Sequence, residues 1–298
     1  MIRAGEFVPE SEPQEIEESE PGALPARLAE LAQLSVDELR ARFVESEAEL
    51  PRGVLAALRE DSRAGVRGLA TKIDKRREEK KKEERRITKL TQFERALWDT
   101  GVELIGGVDE VGMAPLAGPV ITAAVILPKG ARIQGVNDSK QLTAEEREEL
   151  APRIISMAVA WAIGEATVEE IDRLNIYQAG LLALKRAVMA LHPLPQHLLV
   201  DARRIDVPMP QQPIIQGDAK SLTIGAASIV AKVHRDRLMS QLDEKYPGYG
   251  LSQHKGYPTP VHLEALARLG PCEIHRRSFG PVQRALGLDA ASKQRSLF

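Results

Sequence analysis

From Val102 to about Leu286 the chain alternates short apolar runs with stretches of helical period, and this alternation limits the available folds more than any other feature. Leu104–Val108 and Val120–Leu127 read as strands separated by a Gly- and Pro-rich turn, and Trp161–Ala166 reads as a third. Over 168–191, Ile171, Leu174, Leu181, Leu184, Val188 and Leu191 fall on one stripe at helical spacings, which predicts a helix. His197–Val200 is a short buried run ending at Asp201, and Pro213–Gln216 is another that leads into Gly217 and Asp218. Residues 221–244 read as a second long helix and Pro260–Leu269 as a shorter one. Strands first, then strand–helix alternation, predict an α/β domain over 100–286 with a mixed central sheet flanked by helices and a helical C-terminal region.

The flanks differ in character. Residues 1–26 are rich in Glu, Pro and Ser and cannot bury enough surface to offset ordering entropy, so they are expected to be a disordered acidic tail. Residues 27–99 are expected to form a helical extension. Ser35 and Glu38 match a capping box, Leu55, Leu58, Val66 and Leu69 could make a small apolar face, and the run KIDKRREEKKKEERR reads as a solvated helix of Glu–Lys pairs. Leu90, Phe93, Leu97 and Trp98 suffice to dock a helix on the domain that follows, and 287–298 reads as a flexible tail. The single cysteine, Cys272, rules out an internal disulfide. No apolar run reaches the roughly 18 residues of a membrane span, and no secretory pattern opens the chain. A cytoplasmic protein, with nothing demanding more than a monomer, is the expectation. Residues 1–50 carry 13 acidic and 4 basic side chains, whereas 200–298 carry 14 basic and 9 acidic. A chain with net charge −2 can therefore still offer phosphates a basic surface.

Three strand ends carry carboxylates: Asp109 with Glu110, Asp201, and Asp218. Adjacent carboxylates after an apolar run repel one another and resist desolvation, so they call for a compensating cation. An isolated acidic pair is usually a strand leaving for solvent; three such ends on one sheet could converge. Oxygen-only ligands without a Cys/His cluster suit Mg²⁺ or Mn²⁺ rather than zinc. Four carboxylates could hold two such ions, one activating water and one stabilising the departing oxygen.

The segments GVDEVGMAPLAGPVITAAVILP, GVNDSKQLTAEEREEL, IDRLNIYQAGLLALKRAV, LLVDA, QGDAKSLTIGAASIVAKVHRDRLM, YPGYGLSQHKGYPTPVHLEAL and IHRRSFGPV resemble ribonuclease HII, in that family's order, from about Leu104 to Val282. Residues 53–99 resemble the N-terminal extension of some bacterial members. The resemblance implies an RNase H-like fold and a site of Asp109, Glu110, Asp201 and Asp218. It also implies hydrolysis of RNA in RNA–DNA hybrids, including ribonucleotides embedded in DNA, to 3′-hydroxyl and 5′-phosphate ends. Asp236 competes for the fourth place, but its position in a helix suggests a structural ion pair. Tyr257 aligns with a tyrosine that stacks on the sugar beyond the ribonucleotide. Lys140 and Arg276 or Arg277 are candidate phosphate contacts.

One motif departs from the family pattern. Where Gly-Arg-Gly is usual, this chain has Gly112-Met113-Ala114, which removes a phosphate-gripping arginine and adds a methyl group that would be strained at positive φ. This predicts a weakened or altered preference for single-ribonucleotide junctions over longer RNA tracts. It also leaves an alternative: a nucleic-acid- or clamp-binding accessory protein of the same fold with reduced cleavage. The retained carboxylates favour the enzyme, because a binding module gains nothing from negative charge facing phosphates. Finally, Gln294, Leu297 and Phe298 in the terminal QRSLF resemble the pentapeptide by which bacterial repair proteins dock on the sliding clamp.

Overall fold

The computed structural model describes residues 30–46 and 50–288; the expected acidic tail and the clamp-like segment with Gln294, Leu297 and Phe298 lie outside them. The chain divides into two compact units, Met1–Lys82 and Glu83–Phe298, so the division falls ahead of the sequence-based boundary at 99/100. No described helix is long and apolar enough to cross a membrane.

In the first unit, helix α1 (Val36–Arg40) starts at Ser35 with the expected capping box: the Ser35 hydroxyl accepts from Glu38 N–H, and the Glu38 carboxylate accepts from Ser35 N–H at 2.7 Å. A π-helical turn, Ala41–Glu45, and helix α2 (Val54–Glu60) follow. Helix α3 (Ala64–Leu90) contains the charged run, and the division between the units falls within it. Leu39, Phe43, Leu58, Val66, Leu69 and Ile73 form the small core of this unit.

The second unit holds the last turns of α3, helix α4 (Gln92–Asp99) and a five-stranded sheet. Its strands are β1 (Ile105–Val111), β2 (Val120–Ile126), β3 (Ala160–Ala166), β4 (His197–Asp201) and β5 (Gln211–Ile214), in the order β3-β2-β1-β4-β5. β1, β2 and β3 pair antiparallel; β1, β4 and β5 pair parallel, which makes the mixed sheet. Helices α5 (Ala144–Met157) and α8 (Leu222–Lys245) share a core with Ile121, Ala123 and Val125 of β2. On Val108, Ala124, Ile126, Leu198 and Val200 lie Leu184 and Val188 of α7 (Ile176–Met189). Alternate β2 residues enter different cores, as the period of two requires. Short helices α9 (Leu251–His254), α10 (Pro260–Leu269) and α11 (Gly280–Ala285) complete the chain.

Two glycines set how closely the helices approach. A Cβ built on Gly107 of β1 would lie 2.2 Å from the Thr223 carbonyl carbon and 2.5 Å from the Ile224 nitrogen. A Cβ on Gly164 of β3 would lie 2.1 Å from the Ala183 oxygen. Helix α8 therefore rests directly on β1, and α7 on β3, at positions where any side chain would separate them.

Three elements differ from the sequence reading. β1 runs through Asp109 and Glu110 instead of ending before them, because pairing with β2 continues to Val111↔Ile121. β5 begins two residues before Pro213. The helix expected over 168–191 is two: α6 (Val168–Leu174) stops at Asn175, where φ is 72°, and the Asn175 side chain then accepts from Gln178 N–H to start α7.

Candidate active site

Parallel pairing of β1 with β4 runs Gly107↔Leu199 and Val108↔Val200, which brings Asp109 and Asp201 next to one another at the carboxyl ends of adjacent strands. Such ends are where α/β sheets receive ligands. Ala202, at φ 50°, turns the chain out immediately after Asp201. One Asp201 oxygen accepts from Gly217 N–H at 2.7 Å, which anchors the 3₁₀ turn Gly217–Ala219 and with it Asp218. Asp218 pairs with Lys140 at 3.7 Å. Glu110 follows Asp109 on β1 and is opposite Thr122 of β2. Its carboxylate forms an ion pair with Arg203 at 3.1 Å.

Burial and neighbouring carboxylates act together on Asp109, Glu110 and Asp218. Burial raises the Asp109 pKa well above the carboxylate range, and Glu110, Asp201 and Asp218 add to the rise while Ser228 opposes it. Burial likewise raises Glu110, against the pull of Arg203 and with Asp201 adding to it. Burial and Asp138 raise Asp218, with Lys140 opposing. Burial works against the charge on Lys140, but Asp218 and Asp138 outweigh it and raise its pKa.

Among the described residues, no three acidic, His or Cys side chains stand close enough to make a ready-made cation cage. The donor set nevertheless fits hard divalent cations: the four residues offer only oxygen, burial and neighbouring carboxylates disfavour the ionisation of Asp109, Glu110 and Asp218, and Glu110 Oε2 is buried with no partner. Thr122, which pairs with Glu110 across the strands, has an equally unpartnered hydroxyl. Asp109, Glu110, Asp201 and Asp218 could hold such an ion. Asp236 could not readily do so, because it is engaged by Lys232 at 2.7 Å and Arg147 at 3.9 Å as a structural ion pair.

The substrate-side candidates are distributed around the turn after β1. Leu116 N–H donates to the Gly256 carbonyl at 2.8 Å, Gly118 N–H to Ile274 and Arg276 N–H to Leu116, so the segments holding Tyr257 and Arg276 are stitched onto that turn. Tyr257 is partly exposed beside it. Its carbonyl lies 2.9 Å from His262 Nδ1. Arg276 corrects an expectation: it is fully buried and cannot meet phosphate at the surface. It donates instead to the carbonyls of Gly118 (2.9 Å), Met113 (3.1 Å) and Gly112 (2.6 Å). Arg277 is exposed, with its backbone N–H on Asp172. Gly112 has φ 93°, whereas Ala114 is absent from the positive-φ positions and exposed, so the anticipated strain does not arise. Met113 packs towards α7 and is partly buried there.

Sequence reasoning missed several supporting groups. Buried Arg235 donates to the carbonyls of Pro119, Ala117 and Lys255. Buried Glu94 accepts from Ser221 Oγ at 2.6 Å and Thr223 N–H at 2.9 Å, pinning the start of α8 beside the site. Neither residue carries a pattern that distinguishes it from a surface charge. Only Ser221, a sound N-cap before a long helix, gave a local signal.

The family model for ribonuclease HII matches residues 106–282, and the model for the ribonuclease HII N-terminal domain matches 35–98. The chain belongs to the ribonuclease HII family. The ribonuclease HII of Myxococcus xanthus is 56% identical over 270 residues, which cover 90% of this chain and 92% of that protein. That of Geobacillus thermodenitrificans is 48% identical over 261 residues, 87% of this chain and the whole of that protein. The crystal structure of ribonuclease H2 from Pyrococcus horikoshii superposes with a TM-score of 0.54 at 28% identity, covering 61% of this chain and 96% of that one. The protein is thus a type II ribonuclease H with an RNase H-like fold. The accessory-protein alternative gains no support from these relatives.

Proposed function

We propose that this ribonuclease HII cleaves the RNA strand of RNA–DNA hybrids and ribonucleotides embedded in DNA, leaving a 3′-hydroxyl and a 5′-phosphate. Asp109, Glu110, Asp201 and Asp218 would hold two divalent cations, Mg²⁺ or Mn²⁺. The observation that carries this reading is the strand register that sets Asp109 beside Asp201, together with the Asp201–Gly217 hydrogen bond that anchors the turn bearing Asp218. When bound, the cations would supply an activated water and stabilise the departing oxygen. The chain's own contribution is position. Gly217 N–H fixes one oxygen of Asp201, and Glu94 fixes the start of α8, which packs against β1 at Gly107. Arg276 holds the Gly112-Met113 carbonyls, which sets the backbone that would approach the 2′-hydroxyl, the group that separates RNA from DNA. Tyr257 would stack on the sugar beyond the ribonucleotide. Lys140, and Arg277 from the exposed loop, would face phosphates.

The test is cleavage of a uniform hybrid and of a single-ribonucleotide duplex, with Mg²⁺ or Mn²⁺, beside Asp109→Asn. Loss of a supporting group at a metal site costs about 10–100-fold, so loss of a ligand should exceed that. Cleavage by Asp109→Asn at the parent rate would end the reading. Comparing the two substrates also tests whether Met113 and Ala114 weaken cutting at junctions. The terminal Gln294, Leu297 and Phe298 would bind a bacterial sliding clamp; deletion of the last five residues should abolish binding, and no binding by the intact chain would refute it.

A further inference from the structure

Arg203 lies two residues beyond Asp201, on the segment leaving β4. One of its terminal nitrogens, Nη2, forms an ion pair with Glu110 Oε1 at 3.1 Å. Its guanidinium carbon sits 5.2 Å from the centroid of the Tyr177 ring, within cation–π range. The other terminal nitrogen, Nη1, is buried and has no acceptor. A guanidinium carries five donors in a rigid fork matched to two-oxygen anions. A single carboxylate oxygen leaves most of that capacity unused, and a buried donor without a partner is costly.

The surroundings indicate where the missing acceptor belongs. A Cβ built on Gly180 of α7 would meet Met113 Sδ at 3.0 Å, Met113 Cε at 3.1 Å and Arg203 Nη1 at 3.5 Å. The end of side chain 113 and the Arg203 fork thus share one floor, beside the turn that follows the acidic pair. Arg276 is not available to phosphate there, because its donors are spent on backbone carbonyls. Lys140 is paired with Asp218 at 3.7 Å. A site with four carboxylates must still accept a polyanion, and on the Glu110 flank Arg203 is the cation paired with them.

We propose that Arg203 is a positioning contact to the nucleic-acid backbone, gripping a phosphate beside the cut ribonucleotide from the position that Met113 leaves without charge. This rests on the reading that the duplex lies across the four carboxylates. In the free protein Glu110 serves as the anion. In the complex a phosphate oxygen takes that place, and Nη1 gains its acceptor. Tyr177 holds the guanidinium plane, and the unbranched Met113 side chain has the freedom to uncover it.

The experiment uses the full chain carrying Asp109→Asn, Mg²⁺, and a labelled DNA duplex with one embedded ribonucleotide, with affinity measured by fluorescence anisotropy across a salt series. Arg203→Met should weaken binding about ten-fold and reduce the slope of log affinity against log salt by about 0.9, the signature of one lost phosphate contact. Adding Met113→Arg to Arg203→Met should recover both, and Arg203→Lys should recover the slope with less of the affinity, since a point charge lacks the fork. Tyr177→Leu, which leaves the charge in place, should lower affinity about two- to five-fold without changing the slope. An unchanged slope in Arg203→Met, or no recovery with Met113→Arg, overturns the proposal. Cleavage by the Asp109→Asn parent would count against the four-carboxylate site instead. The same salt series in EDTA would then still judge Arg203.

Discussion

Gly106 and Gly107 are neighbours in β1, yet alanine should have very different effects at the two. At Gly107 the new methyl would stand 2.2 Å from the Thr223 carbonyl carbon, and ordinary van der Waals contact begins at 3.4 Å. Helix α8 must therefore recede by about 1.2 Å, the difference between those distances, because the obstacle is backbone with no rotamer to yield. Overpacking of this kind costs about 3 kcal/mol or somewhat more. In a domain of this size that lowers Tm by roughly 6–12 °C. The same shift carries Ser228 away from Asp109 and disturbs the turn holding Asp218, and a misplacement of about 1 Å can cost around 100-fold in rate. At Gly106 the nearest atoms are Leu198 Cδ2 at 2.9 Å and the Pro195 ring. A side-chain tip can rotate away, so Gly106→Ala should cost no more than about 1.5 kcal/mol and leave kcat within a few-fold. Calorimetry and cleavage kinetics on the two variants make the comparison. Equal behaviour, or a Gly107→Ala protein with parental Tm and kcat, would refute the claim that direct contact between α8 and β1 positions the site.

Other consequences are open to measurement. Arg276→Met removes three charged hydrogen bonds, nominally about 1.5 kcal/mol each, while relieving the cost of a buried guanidinium that burial has pushed down to about 9. A net loss of about 3 kcal/mol by denaturation is expected, together with a rise in KM that Arg276→Lys does not fully repair. The folded pKa values of Asp109, Glu110 and Asp218 lie above their unfolded values, so without divalent cations the native state binds more protons. Its stability should fall as pH rises from below the ordinary carboxylate range through the raised values. Asp109→Asn should flatten that fall and raise Tm at neutral pH, and the parent should be stabilised by Mg²⁺ more than the variant; thermal melts at several pH values check this. Glu94→Gln should cost about 1–2 kcal/mol by weakening a charged acceptor at the start of α8, with hydrogen exchange quickening first at Thr223.

The strands that position the site were legible from their apolar runs, and Asp109, Glu110 and Asp201 stood out as acids at the ends of several such runs, where one alone would have meant little. Asp218 was singled out in the same way, although β5 is mostly exposed and begins two residues earlier than its sequence suggests; the family resemblance added its place as the fourth carboxylate. The roles of the arginines were hidden. Arginine is usually exposed, so nothing in HRRSF or HRD indicates that Arg276 and Arg235 are wholly buried among carbonyls. Nor does a single sequence show that Arg203 folds back on Glu110 and Tyr177, since that requires β4 and α7 to be adjacent in space. The break at Asn175 was masked by apolar residues that keep their period across it.

The guanidinium beneath Gly112 makes the three letters of its motif unequal. A Cβ there would fall 2.4 Å from Arg235 Nε and 2.9 Å from the Pro119 oxygen, on a backbone already at φ 93°. Position 112 is therefore frozen by the architecture, whereas 113 leans on a neighbouring helix and 114 opens to water. A substitution at 113 or 114 meets a flexible side chain or water, whereas any at 112 must displace a buried guanidinium and a carbonyl.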